Sequence, residues 1–329
     1  ITGGAGFIGS HLQDKFLKEG CDVCVYDDLS WGNKLNLNND SYFVQGSILD
    51  VDKLYELFRK ENFDTVIHCA ASLEVSLSQT SPVTDLKINT EGTINVLEAM
   101  KLYGTNRLIN FSSACVYGFG SIGMEQSIEN QSKIEPQWGY GSSKASAEIY
   151  IQQYCKTYGF CATNIRPGIT SGPREWFGRV LTIFLKRAIE DKPLIIFGDG
   201  IQERDFVHVK DIVDLVHTEY KIRNLSAGVK TYNGGTGIAT SILDLARLIS
   251  KKTGVDINYE ALEEGQISKM VNGRLRLPFE MQSMRLSMNK ANNELGFYNS
   301  KSLEDIIDAE LSWLQKKNDL ASWAHKFKV

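Results

Sequence analysis

The feature that most constrains the fold is a regular alternation of short apolar runs and longer amphipathic segments in the first half. The short runs include CDVCVYD, DTVIHCAA and RLINFSSACVYG, which have the length and composition of buried strands. The longer segments include VDKLYELFRKENF and LKINTEGTINVLEAMKLYG, with apolar residues at helical spacing. This order predicts an α/β fold with a Rossmann-type, doubly wound parallel sheet.

The alternation loosens after Gly172, which indicates a second structural unit. Amphipathic helices are predicted for SILDLARLISKKTG and SLEDIIDAELSWLQKK. We therefore predict a Rossmann-type domain over residues 1–165, with segments near 205–235 returning to it, and a smaller mixed α/β domain mainly over 166–329. Because little sequence precedes GGAGFIG, the first strand is expected to begin upstream of Ile1.

Composition excludes several function classes. The chain has 329 residues, of which 42% are hydrophobic, so it can bury a sizeable core. Its net charge of −4 argues against a nucleic-acid partner, which usually leaves a basic excess. No apolar run approaches the roughly 18 residues that span a bilayer, and no signal peptide is recognisable. A cytoplasmic protein without a membrane partner is predicted.

The six cysteines are interpreted as reduced residues rather than as metal ligands. Cys21 and Cys24 form a C-x-x-C motif, which can indicate redox or zinc chemistry. Here they lie in a predicted strand, where residues three apart face opposite sides. We therefore expect no metal site. The remaining cysteines, scattered in apolar surroundings, are Cys69, Cys115, Cys155 and Cys161.

The opening stretch ITGGAGFIGSHL predicts a phosphate-binding loop. Gly4, Gly6 and Gly9 fit G-x-G-x-x-G, and Gly3 completes the variant G-x-x-G-x-x-G. A lone match is compatible with an ordinary glycine-rich turn, but here an amphipathic helix follows. The next strand ends in Asp27, about twenty residues on, where an acid accepts hydrogen bonds from an adenosine ribose and repels a 2′-phosphate. NAD is therefore favoured over NADP.

A second motif, WGYGSSKAS, places Tyr140 four residues before Lys144 on one helical face. Alone, it is compatible with an exposed helix surface. Ser113, however, follows a predicted strand 27 residues earlier. With the glycine loop, this Ser and Tyr-x-x-x-Lys set resembles the short-chain dehydrogenase/reductase superfamily. The stretches HCAA, SSACVYG, GDGIQERDFVHVKD and TYNGGTG resemble its extended branch, the NAD-dependent nucleotide-sugar epimerases and dehydratases.

The resemblance implies a catalytic role for each residue of this set. Tyr140 would be the general base, Ser113 would bind the reacting sugar hydroxyl, and Lys144 would stabilise the phenolate and hold the nicotinamide ribose. At pH 7 roughly one free tyrosine in a thousand is ionised, a penalty of about 4 kcal/mol that a nearby ammonium reduces. The implied activity is 4-epimerisation of a UDP-glucose or UDP-galactose type substrate, by a homodimer joined through residues 88–103 and 140–156.

The resemblance also implies further contacts. The expected cofactor contacts are Gly3, Gly6, Phe7, Ile8, Gly9, Asp27, Ser47, Ile48, Ala70, Ala71, Asn89, Tyr140, Lys144 and Pro167. The expected substrate contacts are Ser113, Phe197 and Arg204. For Asn89 a polar contact between helices is an equal alternative, and for Phe197 core packing is a close one. His208 is interpreted as a hydrogen-bonded core residue.

The sequence departs from the family pattern at several positions. Ser47 stands where an Asp usually meets the adenine, so Ile48 is expected to hold it by packing. Ile169 replaces an Asn that touches the substrate diphosphate, and Leu277 replaces an Arg that grips it. The arginines that we consider as substitutes are Arg274, Arg276 and Arg285.

Other functions on the same scaffold remain as alternatives. A 4,6-dehydratase of this family carries an Asp-Glu pair directly after the catalytic Ser/Thr, whereas this chain has Ala114 and Cys115. Glu74 and Glu125 would be the first carboxylates to examine if water were eliminated. A decarboxylase or reductase is a further alternative, and a non-catalytic NAD-binding sensor is the alternative from another class.

Overall fold

The computed structural model describes residues 1–73, 75–118, 120, 125–175, 178–271, 274–276 and 280–316. Glu74 and Leu277, named above, lie outside the described residues. The strands are β1 (Cys24–Asp27), β2 (Tyr42–Gln45), β3 (Thr65–His68), β4 (Arg107–Phe111), β5 (Cys161–Pro167), β6 (Ile169–Ser171), β7 (Leu194–Phe197), β8 (Glu203–Arg204), β9 (Phe206–His208), β10 (Gly228–Gly234), β11 (Thr240–Ser241) and β12 (Ile257–Glu260).

The helices alternate with these strands along the chain. They are α1 (Phe7–Lys18), α2 (Val51–Lys60), α3 (Val75–Thr80), α4 (Pro82–Leu86), α5 (Gly92–Tyr103), α6 (Gly139–Tyr158), α7 (Val180–Ile189), α8 (Val209–Tyr220), α9 (Ile242–Thr253), α10 (Asn289–Leu295) and α11 (Leu303–Gln315). Shorter turns are the 3₁₀ segments Lys34–Asn36 and Ala114–Tyr117 and the π segment Lys87–Glu91.

The main sheet is parallel. Its strands pair in the order β10-β5-β4-β3, and β1 pairs with β2. Thr2 joins the two groups, because it forms parallel bridges with Tyr26 and with His68. The resulting order has the first segment at its centre and later strands on either side, which is the doubly wound arrangement. The predicted fold class is confirmed.

Helices cover both faces of this sheet. One face is packed by α1, α8 and α10, and its buried residues include Leu12, Phe16, Ile212, Leu215 and Ala291. The other face is packed by α2, α5 and α6, and its buried residues include Leu54, Leu57, Val96, Met100 and Ile151. In sheets of this kind, ligands bind at the carboxyl edge of the strands.

The later part of the chain has a third core between α7, α9 and α11, which includes Leu181, Leu185, Leu245, Ile249 and Ile306. Its short strands pair both ways, with β7 parallel to β12 and β8 antiparallel to β11. The chain also returns to the first layer, since β10 pairs with β5 and α8 packs in the first core. The division at residue 165 itself stays a prediction.

The strand containing the C-x-x-C motif begins later than expected. Gly20 has a φ of +80°, and the Cys21 nitrogen donates to the Phe16 carbonyl, so Cys21 belongs to the C-terminal turn of α1. Only Cys24 lies in β1, and the argument from strand alternation was therefore wrong. Both cysteines are free thiols. Within the described ranges, no cluster of three or more metal-ligating side chains is present.

Across the same ranges no helix is both long enough and apolar enough to cross a bilayer.

Candidate active site

The glycine loop connects the first segment of the sheet to α1 without room for side chains. Gly3 has a φ of +67°, and a Cβ there would lie 2.6 Å from the Ala70 nitrogen. A Cβ on Gly9 would collide with the Gly3 carbonyl oxygen. Glycine is therefore required at both positions, for the turn and for the close packing of the helix on the loop.

Helix α1 begins directly after this loop with its first turn uncapped. Gly6 is the N-cap residue, and among the described residues no side chain accepts a hydrogen bond there. The first turn also contains no acidic residue, so its N–H groups and dipole favour an anion. Phe7 and Ile8 pack partly against the first core, which leaves their backbone to face a pyrophosphate. These features fit a dinucleotide.

Asp27 lies at the rim of the same loop. It is the last residue of β1 and is 7% exposed, and its carboxylate accepts hydrogen bonds from Ala5 N (2.9 Å) and Leu29 N (2.8 Å). These contacts hold the carboxylate beside the position where an adenosine ribose would lie. Gly32 also matters, because a Cβ there would lie 2.7 Å from the Asp27 Oδ1 atom. Sequence reasoning missed Gly32, which stands outside any motif.

The residues predicted to meet the adenine, Ser47 and Ile48, lie in the loop after β2. Ile48 is buried and packs so closely against Gly92 that a Cβ on that glycine would collide with it. Its carbonyl accepts a hydrogen bond from Asn95 Nδ2 at 3.0 Å. The Ser47 hydroxyl accepts one from Leu49 N at 3.3 Å. Ile48 is thus primarily a core residue, and its expected contact with adenine stays a prediction.

Asn89 lies in the π segment and connects two parts of the site. Its Oδ1 accepts from Ser72 N at 2.8 Å, and its Nδ2 donates to Ser143 Oγ at 3.0 Å and to Asp85 Oδ1 at 3.2 Å. The amide therefore holds the loop that follows β3, with Ala70 and Ala71, against α6. This geometry favours the helix-contact interpretation of Asn89 over direct cofactor binding.

The three predicted catalytic residues meet at the carboxyl edge of β4. Ser113 follows this strand, and its Oγ accepts a hydrogen bond from Cys115 N at 3.1 Å. The Ser113 side chain lies close enough to Tyr140 to lower the pKa of its hydroxyl. Lys144 is buried on α6, and its Nζ donates to the Phe111 carbonyl at 2.8 Å. Residues that are distant in sequence are thus brought into one site.

The electrostatics differ in one respect from the expectation. Burial raises the pKa of Tyr140 above its usual value, and Cys115 adds to this, whereas Arg179 and the Ser113 side chain lower it. Arg179 thus contributes positive charge near Tyr140. The expected stabilisation of the phenolate by Lys144 stays a prediction.

Opposing effects determine the pKa of Lys144. Burial lowers its pKa to about 8, while Cys69, Asp85 and Glu148 act in the opposite direction. The residue therefore stays mostly protonated at neutral pH and loses its proton at a lower pH than a free lysine does.

Arg179 is a candidate that sequence reasoning missed. It is the N-cap residue of α7, and its Nη1 donates to the Thr170 carbonyl at 3.0 Å. An ion pair joins it to Glu175 at 3.6 Å. Burial raises the pKa of Glu175 to about 7. The only signal in the sequence was a basic residue directly before an amphipathic helix.

On the substrate side, Arg204 and Arg276 share a carboxylate. Arg204 Nη1 donates to the Met281 carbonyl at 2.7 Å, and its Nη2 lies 3.9 Å from Glu280. Arg276 Nε donates to the same Glu280 at 3.1 Å. Phe197 is half-buried at the end of β7, directly before a glycine that Arg276 contacts. Of the three arginines considered as substitutes, Arg276 therefore lies next to both predicted substrate residues.

The other predicted substitutes point elsewhere. Arg274 donates to the Gly178 carbonyl at 2.5 Å, and Arg285 is exposed and donates to the Gly237 carbonyl at 2.9 Å. Ile169 packs in an apolar cluster whose buried members are Ala114, Trp138, Met281, Met284 and Leu286. A hydrophobic contact thus occupies the position of the family Asn.

Two remaining predicted residues lie at strand ends. His208 is buried as the N-cap residue of α8, and its Nδ1 accepts from Lys210 N at 2.9 Å. Pro167 ends β5, and the following Gly168 N donates to the Gly234 carbonyl at 2.9 Å. Pro167 therefore lies at the same edge of the sheet as Ser113.

Comparison with known proteins agrees with this geometry. Residues 1–233 match the model of the NAD dependent epimerase/dehydratase family, which is well over half of the chain. The chain belongs to this family. The predicted family membership, enzyme class and NAD cofactor are confirmed.

Individual members of the epimerase/dehydratase family resemble the whole chain. A UDP-glucose 4-epimerase of Mycolicibacterium smegmatis is 30% identical over 327 residues, which covers 97% of this chain and 98% of the relative. The crystal structure of a Thermotoga maritima UDP-glucose 4-epimerase with UDP-glucose has a TM-score of 0.86 at 30% identity, covering 96% of this chain and 97% of that one.

Two further matches show the cofactor and the range of activities in the family. A Thermus thermophilus UDP-glucose 4-epimerase complex with NAD has a TM-score of 0.85 at 26% identity, covering 96% of this chain and 98% of that one. A dTDP-D-glucose 4,6-dehydratase of Dictyostelium discoideum is 32% identical over 270 residues, which covers 76% of this chain and 60% of the relative.

Proposed function

We propose that this family member is a nucleotide-sugar 4-epimerase of the UDP-glucose/UDP-galactose type. The observation that carries the proposal is the contact of Ser113 with Tyr140 beside Lys144, at the sheet edge next to the glycine loop. The full-length similarity to proteins named UDP-glucose 4-epimerase supports the same activity.

The residues of the site perform the acid–base part of this reaction. Tyr140 accepts the proton of the sugar C4 hydroxyl as general base, and Ser113 donates a hydrogen bond to the same oxygen. The Lys144 ammonium holds a ribose hydroxyl of the dinucleotide and favours the phenolate. NAD, when bound, supplies the acceptor for the C4 hydride and returns it. Tyr140 then gives the proton back to the inverted C4 oxygen.

Elimination of water requires an additional acid and base, and the two described positions directly after Ser113 supply neither. The residues after Ser113 are Ala114 and Cys115, and burial raises the pKa of the Cys115 thiol, which keeps it protonated. Glu125 is exposed. Glu74, the other carboxylate to examine, lies outside the described residues. The described site therefore supports epimerisation better than dehydration.

The two helices expected at a dimer interface present apolar side chains to solvent. Leu102 on α5 is 55% exposed, and Ile149 and Tyr150 on α6 are 67% and 44% exposed. We propose that a second copy of the chain covers this surface, since large exposed apolar side chains that lie together favour an interface. Light scattering of the wild type and of Ile149→Asp tests this: a dimer that the substitution dissociates is expected, and a monomeric wild type would contradict it.

The activity is tested with UDP-glucose and UDP-galactose. The purified protein with NAD is expected to convert each into the other, as followed by NMR of the sugar anomeric protons. A thermal-shift panel of UDP-, GDP-, dTDP- and CDP-sugars identifies the base, because specific binding raises the melting temperature. Bound NAD without turnover of any nucleotide sugar would instead favour a non-catalytic NAD sensor.

A further inference from the structure

A buried arginine lies behind the catalytic residues. Arg166 is the penultimate residue of β5, and its side chain is 7% exposed. Its Nε and Nη2 atoms donate to the two carboxylate oxygens of Glu148, at 2.9 and 2.6 Å. This is the bidentate geometry in which an arginine fixes both the position and the orientation of a carboxylate.

The same guanidinium also holds a tyrosine. Arg166 Nη1 donates to the Tyr117 hydroxyl at 2.9 Å, and the guanidinium carbon lies 4.9 Å from the ring centroid. The Tyr117 hydroxyl in turn donates to Asn233 Oδ1 at 2.8 Å. Burial raises the pKa of Tyr117 to about 12, so its proton remains available for that bond. The Asn233 amide is anchored on the Ser127 and Ser287 carbonyls.

These two partners belong to the two segments that carry the catalytic residues. Glu148 is on α6, four residues after Lys144 and on the same helical face. Tyr117 ends the 3₁₀ turn that Ser113 begins as its N-cap residue. Arg166 therefore joins the helix of Tyr140 and Lys144 to the turn of Ser113 through one buried group.

We propose that Arg166, with Glu148 and Tyr117, is the positioning clamp that holds Ser113 in register with Tyr140 and preserves the charge of Lys144. This inference rests on the proposed function, because it assigns the clamp a role in the same acid–base step. None of the three residues is placed in contact with the substrate.

The electrostatic part of the clamp follows from the surroundings of Lys144. The titratable groups that face it are His68 at the end of β3, Cys69 directly after it, Asp85 on α4 and Glu148 on α6. Burial lowers the pKa of His68 to about 3, so this ring is neutral and adds no charge. The carboxylates of Asp85 and Glu148 raise the pKa of Lys144 against the effect of burial. The bidentate contact with Arg166 fixes the position of the Glu148 carboxylate.

Loss of the Glu148 charge is expected to change the pH dependence of activity. Removal of the Glu148 charge lowers the pKa of Lys144 below about 8, so the ammonium loses its proton at a lower pH. The alkaline limb of the activity profile then moves toward lower pH. Removal of the Tyr117 hydroxyl disturbs only the position of the Ser113 turn, and leaves that limb unchanged.

The test compares Glu148→Gln, Tyr117→Phe and Arg166→Lys with the wild type, and uses Glu56→Gln as a control because Glu56 is an exposed carboxylate on α2. We expect kcat to fall about tenfold or more in each clamp variant, with KM changed less than about threefold. Of the two isosteric variants, Glu148→Gln and Tyr117→Phe, only Glu148→Gln should move the alkaline limb, by about half a pH unit or more toward lower pH.

A lysine cannot form the bidentate hydrogen bonds of a guanidinium, so Arg166→Lys is expected to lower kcat although it retains the positive charge. If this variant fails to fold, as a thermal melt would show, Glu148→Gln and Tyr117→Phe carry the test. An unchanged limb and a kcat within about twofold of wild type in Glu148→Gln would overturn the proposal. A merely structural role would instead raise KM and lower the melting temperature without moving the limb.

A second readout separates this inference from the proposed function. NAD affinity is measured by calorimetry from pH 6 to pH 10, because Lys144 holds the ribose only as an ammonium. If the wild type turns over no sugar, the proposed function fails, but the affinity profile still reports the charge of Lys144. A profile that falls at lower pH in Glu148→Gln supports the clamp, and superimposable profiles contradict it.

Discussion

The cofactor side and the substrate side of the site are organised in different ways. On the cofactor side, Gly3, Gly9 and Asp27 stand at fixed spacings in one motif, and backbone atoms of the glycine loop and of the chain after β3 surround them. On the substrate side, Arg204 and Arg276 are joined by Glu280, which lies far along the chain from Arg204. The first arrangement therefore leaves a pattern in the sequence, whereas the second depends on contacts between side chains from separate segments.

This difference explains why reaction class and cofactor are easier to infer than substrate identity. A glycine that must avoid a collision, or an acid at a strand end, leaves a signal at a fixed spacing. An arginine that reaches a ligand across two loops leaves none. The following substitutions test whether the two sides are as separate as the structure indicates.

The largest effect is expected at the residue where both sides meet. Tyr140→Phe removes the general base while retaining the ring, so kcat should fall about 10³-fold or more, with NAD affinity within about threefold of wild type. Tyr298→Phe is the control, because Tyr298 is 69% exposed. Steady-state kinetics and calorimetry give both values. Turnover within about fivefold of wild type would mean that another group takes the proton.

The next effect concerns the glycine loop. Gly9→Ala places a methyl group against the Gly3 carbonyl oxygen, so NAD affinity should fall about 100-fold as the loop and α1 move apart. Gly20→Ala is the control: it strains a φ of +80° in open space, so it should lower the melting temperature and spare NAD binding. Equal NAD affinity in both variants would argue against the loop as the phosphate site.

Asp27 tests the choice between the two dinucleotides. Asp27→Ala removes the ribose acceptor and the repulsion of a 2′-phosphate, so the preference for NAD over NADP should decrease about thirtyfold. The adjacent exposed Asp28, replaced by Ala, should leave this ratio unchanged. Calorimetric titration with both cofactors measures it. A wild type that prefers NADP would contradict the assignment of Asp27.

The smallest effect is expected on the substrate side. Arg276→Met should raise KM for the nucleotide sugar about tenfold without changing NAD affinity, because Arg276 lies beside Arg204 and Phe197. Arg285→Met, an exposed arginine bonded to Gly237, should change KM less than about twofold. The reverse order of the two KM values would place the diphosphate near Arg285 instead.

The sequence allowed the parallel sheet, the glycine loop and the Ser113, Tyr140 and Lys144 set to be predicted, because each depends on periodicity or on fixed spacing. It did not reveal Arg179, whose side chain influences Tyr140 from a position fixed by a hydrogen bond to the distant Thr170 carbonyl in β6. It also led us to expect Cys21 in a strand, whereas Cys21 follows the C-terminal turn of α1, whose end depends on the backbone at Gly20.

Asn89 shows that a sequence motif does not determine what a side chain contacts. The sequence matched this residue to a family position but left two interpretations open. Its hydrogen bonds to Ser72, Asp85 and Ser143 decide between them, and these partners come from separate elements. A motif therefore locates a residue in a site more readily than it states what the side chain contacts.

The central claim is that this site oxidises and re-reduces C4 of a nucleotide sugar without eliminating water. The most direct measurement is mass spectrometry, with NMR, of UDP-glucose incubated with the protein and NAD. We predict a product of unchanged mass with the configuration of UDP-galactose, which is absent with Tyr140→Phe. An enzyme-dependent product that is lighter by one water would contradict the account.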